Sequence, residues 1–269
     1  MDSNHIKRWI TGIAVAPVLF AVIYFSTEFI FAVIITLLIL GGVVEYNNMV
    51  FNKGDHWEKC EGIVIGILIP LAAYFGDIQL MFATVTFAVI VVFLLFLFRL
   101  KNHLFDISSI TKVVFGLFYI PVMLSYFVLT RHFENGIQWV FFVIILTFSG
   151  DISAFYVGKS LGKRKLMPLV SAGKTVEGTL GLIVGSIAGC IIFKLIFFRE
   201  LPLLHSALLG FMGGVLGQLG DLCESVIKRT FMIKDSGFLL PGHGGVLDRL
   251  DSFIFIIPFV YYYHLFVIL

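Results

Sequence analysis

Charged residues are scarce in this chain of 269 amino acids. Asp, Glu, Lys and Arg make up 13% of it, whereas a soluble domain usually carries about a quarter. Hydrophobic residues make up 59%, and the mean hydropathy is +1.02. This composition excludes an ordinary soluble domain. It predicts an all-α integral membrane protein, because a spanning helix satisfies its own backbone hydrogen bonds in hydrocarbon.

Cysteine is also rare, and the net charge is small. Cys60, Cys190 and Cys223 are the three cysteines of the chain, and they have neither metal-ligand spacing nor a pairing pattern. No disulfide framework is therefore predicted. The net charge of +2 is too small to indicate a nucleic-acid partner, so we expect none.

Charge-free apolar runs predict a polytopic helical bundle with about nine transmembrane helices. The runs are Trp9–Phe25, Phe29–Val44, Gly62–Phe75, Leu80–Phe98, Val113–Thr130, Gly136–Gly150, Gly178–Phe193, Leu203–Gly220 and Phe253–Leu269. A full span needs about 17 to 25 residues. The third, sixth and seventh runs are shorter, so we expect them either to extend into neighbouring polar residues or to lie partly embedded. The first run resembles a signal peptide, but no cleavage site leads to a polar domain, and we interpret it as a span.

The basic residues predict the orientation. With a cytoplasmic N-terminus, all but three of the 19 lysines and arginines fall in inner segments, the exceptions being Arg131, Lys194 and Arg199. Inner loops of membrane proteins carry such an excess. We therefore expect a multi-pass protein of the cytoplasmic (inner) membrane with its C-terminus outside. Residues 1–112 are predicted to form a transmembrane scaffold, and residues 113–269 a catalytic region whose site faces the cytoplasm. A boundary near Asn135 is the alternative.

Glycines recur at helical spacing in the seventh and eighth runs. They are Gly181, Gly185 and Gly189, followed by the pairs Gly210 with Gly214 and Gly213 with Gly217. Small residues let helix backbones approach closely, so we expect tight helix packing. The packing could lie within one chain or between two, which leaves a homodimer open.

Two dense polar segments follow the sixth and eighth runs. In the second, Asp221, Ser225 and Lys228 share one helical face if the eighth helix continues, with Glu224 at its edge. Asp248 and Asp251 begin another such face at the start of the ninth run. Together the two faces suggest a site for a hard cation such as Mg²⁺, which prefers oxygen ligands and substrate phosphate.

The loop between these two faces is rich in glycine and contains a proline, which break helices. Glycine also lets backbone N–H groups approach a ligand closely. The basic residues around the faces would contact phosphate groups; they are Lys228, Arg229, Lys234 and Arg249. A simpler alternative is a set of ion pairs in a solvated loop. Ionisable residues at membrane ends favour a functional site.

The first polar segment, residues 151–177, offers two resemblances to a phosphate-binding P-loop. Gly158-Lys159-Ser160 and Gly173-Lys174-Thr175 lack the glycine that this motif needs further upstream, so we reject both. Lys174 and Glu177 are still expected to contribute to a site by another geometry. The cluster of Lys163, Arg164 and Lys165 either binds anionic lipid headgroups or only determines topology.

The second polar segment resembles a known signature. It reads Ser225-x-x-Lys228-Arg229-x4-Lys234-Asp235-x-Gly237-x-x-Leu240-Pro241-x-His243-Gly244-Gly245-x-x-Asp248-Arg249-x-Asp251, and it is similar to that of the phosphatidate cytidylyltransferases, the CDP-diacylglycerol synthases. Asp151, Pro168, Ser171 and Lys174 resemble that family's preceding segment. Where the family usually has Ser-Pro-Lys-Lys-Thr, this chain has Ser171-Ala172-Gly173-Lys174-Thr175, so residues 172 and 173 receive no role.

The resemblance implies that CTP and phosphatidate react to give CDP-diacylglycerol and pyrophosphate, with Mg²⁺ and possible help from a second cation. It implies a metal at Asp221 and Asp248, with Asp251 and Asp151 as further candidates. The catalytic set is then Asp221, Asp248, Lys228, Arg229 and Asp251. The substrate-binding set is Ser225, Lys234, Asp235, His243, Gly244, Gly245, Arg249, Lys174 and Asp151.

Three other functions fit parts of the sequence. A CTP-dependent lipid or polyprenol kinase shares the membrane setting and the nucleotide, and only its product would differ. A CDP-alcohol phosphotransferase needs paired DxxxD spacing, whereas Asp248 and Asp251 are three residues apart. A transporter would place ionisable residues near the bilayer midplane, whereas here they gather at one face.

Overall fold

The computed structural model describes residues 17, 19–52, 54–99, 107–237 and 244–269. Residues 19–25 are helical, and eight longer helices follow. They are α1 Glu28–Val50, α2 His56–Phe75, α3 Ile78–Arg99, α4 Ser108–Arg131, α5 Gly136–Leu161, α6 Val176–Phe197, α7 Leu203–Thr230 and α8 Leu247–Ile268. Most of the predicted span Trp9–Phe25 lies outside the described residues.

Seven of the described helices, all except α2, are long and apolar enough to cross a membrane. Helix α2 carries Glu58, Lys59 and Glu61 near its beginning. The chain is thus a helical, multi-pass membrane protein, and the predicted helical class is confirmed. The three short runs all extend as helices into neighbouring polar residues, which was one of the two expectations for them. The count of nine spans stays a prediction.

The chain divides into two compact units. The first consists of Met1–His132 with Asp235–Leu247, and the second of Phe133–Lys234 with Asp248–Leu269. The functional boundary predicted at residues 112 and 113 stays a prediction. The segment Asp235–Leu247, which belongs to the predicted signature, packs with the N-terminal unit.

Helices α1 to α4 form the larger part of the first unit. Glycines allow α1 and α2 to approach closely: a side chain at Gly62 would meet the Asn47 amide at 3.0 Å, and one at Gly66 would meet Leu40 at 3.3 Å. In α4, residues Phe118–Val122 form a π-helical turn around Pro121, which has no N–H to donate. Ser125 donates its hydroxyl to the Pro121 carbonyl at 2.6 Å.

In the second unit, α5, α6 and α7 pack through the predicted glycines. Gly181, Gly185 and Gly189 lie against Val157, Ser153 and Ser149 of α5, in that order. Each added Cβ would lie less than 3 Å from its partner's side chain. The α6 glycines therefore find their partners within one chain, and the expectation of close packing is confirmed.

A short antiparallel hairpin connects α5 to α6, and the sequence did not predict it. Its strands are β1 Lys165–Met167 and β2 Ser171–Thr175, with Lys165 opposite Thr175. Thr175 then caps α6 by accepting the N–H of Gly178 at 3.1 Å. The hairpin places Lys174 at the beginning of α6.

Candidate functional site

Helix α7 continues past its apolar part to Thr230, so the expected helical face of Asp221, Ser225 and Lys228 exists. The helix ends in a turn in which Ile233 donates its N–H to the carbonyl of Lys228 at 3.0 Å. Met232 adopts a left-handed backbone in that turn, with φ 57°. The Asp, Glu, Lys and Arg residues of α7 thus lie between Asp221 and Thr230, in about its last three turns.

Lys228 lies between two carboxylates and is itself buried. Its Nζ pairs with Asp248 Oδ1 at 2.6 Å and also with the carboxylate of Glu224. Glu224 is completely buried. Sequence spacing had put Glu224 only at the edge of the face and assigned it no role, although its position four residues before Lys228 is a pairing signal. The trio of Glu224, Lys228 and Asp248 joins α7 to α8.

Asp221 pairs with a lysine from a different element. The Nζ of Lys174, on strand β2, lies 2.6 Å from Asp221 Oδ2. The hairpin thus brings the first polar segment to the second, which the sequence had suggested by leaving Lys174 a role in a site. Glu177 is engaged elsewhere and accepts the backbone N–H groups of Lys163 and Arg164.

Asp151 and Asp251 lie close enough to Asp221 to be repelled by its negative charge. Lys174 and Arg249 attract Asp151. The backbones of α7 and α8 come close here, since a side chain at Gly220 would meet the carbonyl oxygen of Asp251 at 2.5 Å. The second unit thus holds three mutually repelling carboxylates with basic groups beside them.

The chemistry of these three carboxylates fits a hard cation. Their oxygen atoms are the ligands that Mg²⁺ uses, and repulsion among them would fall with a cation present. Within the described residues, no cluster of three or more His, Cys, Asp or Glu side chains could hold a metal ion. Mg²⁺ commonly needs one or two carboxylates and completes its shell with water and substrate phosphate. The metal at Asp221 and Asp248 stays a prediction.

The remaining predicted basic residues of the second unit differ in how they are held. Arg229 donates from Nε to the carbonyl of Val170 at 3.3 Å and from Nη1 to that of Ile233 at 2.9 Å, which ties the hairpin to the end of α7. Lys234 and Arg249 are exposed, whereas Ser225 is buried. Exposed cations can meet an incoming anion.

Four predicted substrate-binding residues do not belong to the described part of the second unit. Asp235, Gly244 and Gly245 lie in the first unit, and His243 lies outside the described residues. Gly244 has a φ of 80°, which favours glycine because other residues are strained there. Their roles stay predictions.

The rejected P-loop resemblances are not phosphate loops in the structure. Gly158-Lys159-Ser160 lies within the last turn of α5, and Gly173-Lys174-Thr175 lies in strand β2. A P-loop instead needs a glycine-rich loop between a strand and a helix. The rejection is confirmed for both.

Taken together, the fold and the site define a polytopic helical membrane protein with a cluster of paired acids and bases in its second unit. The chain belongs to the cytidylyltransferase family, whose sequence profile matches residues 6–267. The resemblance drawn from the signature is thereby confirmed at the level of the family.

Individual relatives agree with this membership. A phosphatidate cytidylyltransferase of Bacillus subtilis (strain 168) is 42% identical over 164 residues, 61% of each chain. The match thus spans about three fifths of the length of that relative. A phosphatidate cytidylyltransferase of Staphylococcus aureus (strain COL) is 31% identical over 231 residues, 85% of this chain and 86% of the relative. An uncharacterised protein of Escherichia coli (strain K12), YnbB, is 46% identical over 135 residues, 50% of this chain and 45% of the relative.

Proposed function

We propose that the protein transfers CMP from CTP to phosphatidate and releases pyrophosphate. A phosphate oxygen of the lipid attacks the α-phosphorus of CTP, and the bond from that phosphorus to the bridging oxygen of pyrophosphate breaks. The observation that carries this proposal is the cluster formed by both polar segments. In it, Lys174 forms an ion pair with Asp221, and Lys228 forms one with Asp248. Family membership and the names of the relatives support the choice of substrates.

Bringing two polyanions together is the main electrostatic obstacle of this reaction. Lys234 and Arg249 are exposed and provide positive charge for the phosphate groups. Lys228 is held by two carboxylates, so its charge fixes Asp248 in place. General acid–base catalysis contributes little, because the attacking phosphate monoester already carries about −1.5 to −2 charge near pH 7.

A magnesium ion is part of the proposal. Asp221 and Asp248 would hold it, and Asp151 and Asp251 are further candidates for a ligand or for a second cation. When bound, the ion would neutralise phosphate charge and stabilise the charge that develops on the leaving group. Lys174 pairs with Asp221 and Lys228 with Asp248, and Asp151 is attracted by Lys174 and Arg249.

The membrane setting suits a lipid substrate. We place the site at the cytoplasmic side of the inner membrane, with the N-terminus inside and the C-terminus outside, because the basic residues favour that orientation. Phosphatidate would reach the site from the leaflet, and CTP from the cytoplasm.

Pyrophosphate release tests the reaction. Purified protein in vesicles should release pyrophosphate from CTP only when phosphatidate is present, and chelation of divalent cations should stop the release. Asp248→Asn should lower the rate by at least about a hundredfold if it removes charge stabilisation at the reacting phosphates, with thermal unfolding near that of the unaltered protein. Release that does not depend on phosphatidate would contradict the proposal.

A further inference from the structure

Glu45 is a buried carboxylate in the part of the chain that the sequence indicated to be scaffold. It lies in α1 and is 4% exposed. A carboxylate in such a place is costly unless hydrogen bonds and charge compensate for the lost water. Its surroundings must therefore supply donors.

Hydrogen-bond donors from the described part of the segment Asp235–Leu247 meet this carboxylate. Oε2 accepts the hydroxyl of Ser236 and the backbone N–H of Leu247, each at 2.9 Å. Oε1 accepts the backbone N–H of Val246, also at 2.9 Å. Hydrogen bonds with an ionised acceptor are stronger than neutral ones.

The position of these donors explains why a carboxylate fits. Leu247 is the first residue of α8, and the first N–H groups of a helix have no partner within it. The N-terminal end of a helix also favours negative charge. Glu45 therefore acts as a cap for α8, although it is 202 residues away in sequence.

Glycines shape the segment around Glu45. A side chain at Gly237 would collide with the Glu45 carboxylate, and one at Gly245 would collide with the Ser236 hydroxyl and the Glu45 carboxylate. Neither position has room for a Cβ. The sequence suggested that the glycines of this segment let a ligand approach, whereas at these two positions the close neighbours are Glu45 and Ser236.

We propose that Glu45 is a positioning residue for the nucleotide. It accepts hydrogen bonds from Ser236 near one end of the segment Asp235–Leu247 and from Val246 and Leu247 at the other, and Asp248 follows Leu247 directly in the chain. This inference rests on the proposed function and on the substrate-binding role that the signature implies for Asp235, Gly244 and Gly245. With residues 236, 246 and 247 fixed before CTP binds, less conformational freedom is lost there on binding.

Glu45→Gln is the informative change, because the amide keeps the shape but loses the charge and places an NH₂ group against a donor. We expect backbone amides of residues 244–247 to exchange with deuterium about tenfold faster, as for the loss of one charge-assisted hydrogen bond. KM for CTP should rise about tenfold, and KM for phosphatidate should stay within about twofold. A merely structural role would lower the active fraction and leave both KM values unchanged.

Tyr46→Phe is the matched control. Tyr46 is the next residue of α1, is equally buried, and donates its hydroxyl to the Lys112 carbonyl at 2.9 Å, away from the segment. It should leave exchange at residues 244–247 and KM for CTP unchanged. Ser236→Ala, which removes one donor and keeps Glu45, should move both quantities in the direction of Glu45→Gln by a smaller amount. It also serves if Glu45→Gln does not fold.

Deuterium exchange and KM for CTP test different parts of the proposal. Unaltered exchange at residues 244–247 in Glu45→Gln and in Ser236→Ala would overturn the role of Glu45 in holding the segment. Faster exchange with an unchanged KM for CTP would overturn its role in nucleotide binding. If the unaltered protein makes no CDP-lipid at all, the proposed function fails, while the exchange result still decides whether Glu45 holds the segment.

Discussion

At the scale of single residues, Lys228 has the most demanding position in the second unit. Its ammonium group compensates both the fully buried Glu224 and the nearly buried Asp248. Removing one partner from a buried ion pair leaves a charge without compensation, which is far more costly than exchanging the whole group for apolar residues. The integrity of this part of the protein should therefore depend on Lys228 more than on either carboxylate alone.

Lys228→Met should lower the free energy of unfolding by about 3–5 kcal/mol, because two carboxylates then lack their cation. Glu224→Gln is the matched control, since it leaves Lys228 paired with Asp248, and it should cost clearly less. Thermal unfolding of both variants in detergent measures the difference. Equal stability of the two would contradict the role assigned to Lys228.

Local spacing was a good guide to residues that share a helix. It predicted the face of Asp221, Ser225 and Lys228 because helical periodicity depends only on neighbours along the chain. It did not predict that Lys174 pairs with Asp221, since that contact depends on a hairpin and on tertiary packing. Glu45 was missed for the same reason: its partners are about 200 residues away, and the only signal was a carboxylate directly after an apolar run.

At the scale of elements, glycine contacts set the distances between helices of the second unit. Gly210 of α7 lies close to the backbone of α6, since an added Cβ would lie 2.8 Å from Cα of Ile187 and 3.1 Å from the carbonyl oxygen of Ser186. Backbone atoms of a packed helix cannot move aside as a flexible side chain can. The helices would have to separate, and the polar residues at their ends with them.

Gly210→Ala should therefore destabilise the protein by about 1–3 kcal/mol, the usual cost of overpacking. Gly54→Ala is the control, because an added Cβ at Gly54 has no neighbour within 4 Å. Unfolding temperatures of the two variants in the same detergent make the comparison. If Gly210→Ala is as stable as Gly54→Ala, close α6–α7 packing is not what the glycine provides.

The helices themselves were largely predictable, and their ends were less so. Apolar runs located the described helices, because hydrocarbon requires long apolar segments. The polar extensions of α5 and α7 depend on packing and capping, which hydropathy does not record. The hairpin of residues 165–175 was not predicted, since its strands are too short for a clear alternation.

At the scale of the whole molecule, the distribution of basic residues makes a prediction about orientation. Helix α6 separates Lys163 from Arg199, and both residues are exposed. In a variant without Cys60, Cys190 and Cys223, a cysteine placed at Lys163 should react with an impermeant maleimide only from the cytoplasmic side. A cysteine at Arg199 should react only from the outside. The opposite pattern would place the site on the wrong side of the membrane for cytoplasmic CTP.

The fate of the α-phosphate of CTP tests the central claim most directly. Purified protein in phosphatidate vesicles with Mg²⁺ should transfer label from α-labelled CTP into lipid, and label from γ-labelled CTP should appear in pyrophosphate. A lipid kinase would give the reverse, with γ-label in lipid and α-label in water-soluble nucleotide. Lipid labelled from the γ-position, or no labelled lipid from either substrate, would contradict the proposed transfer of CMP.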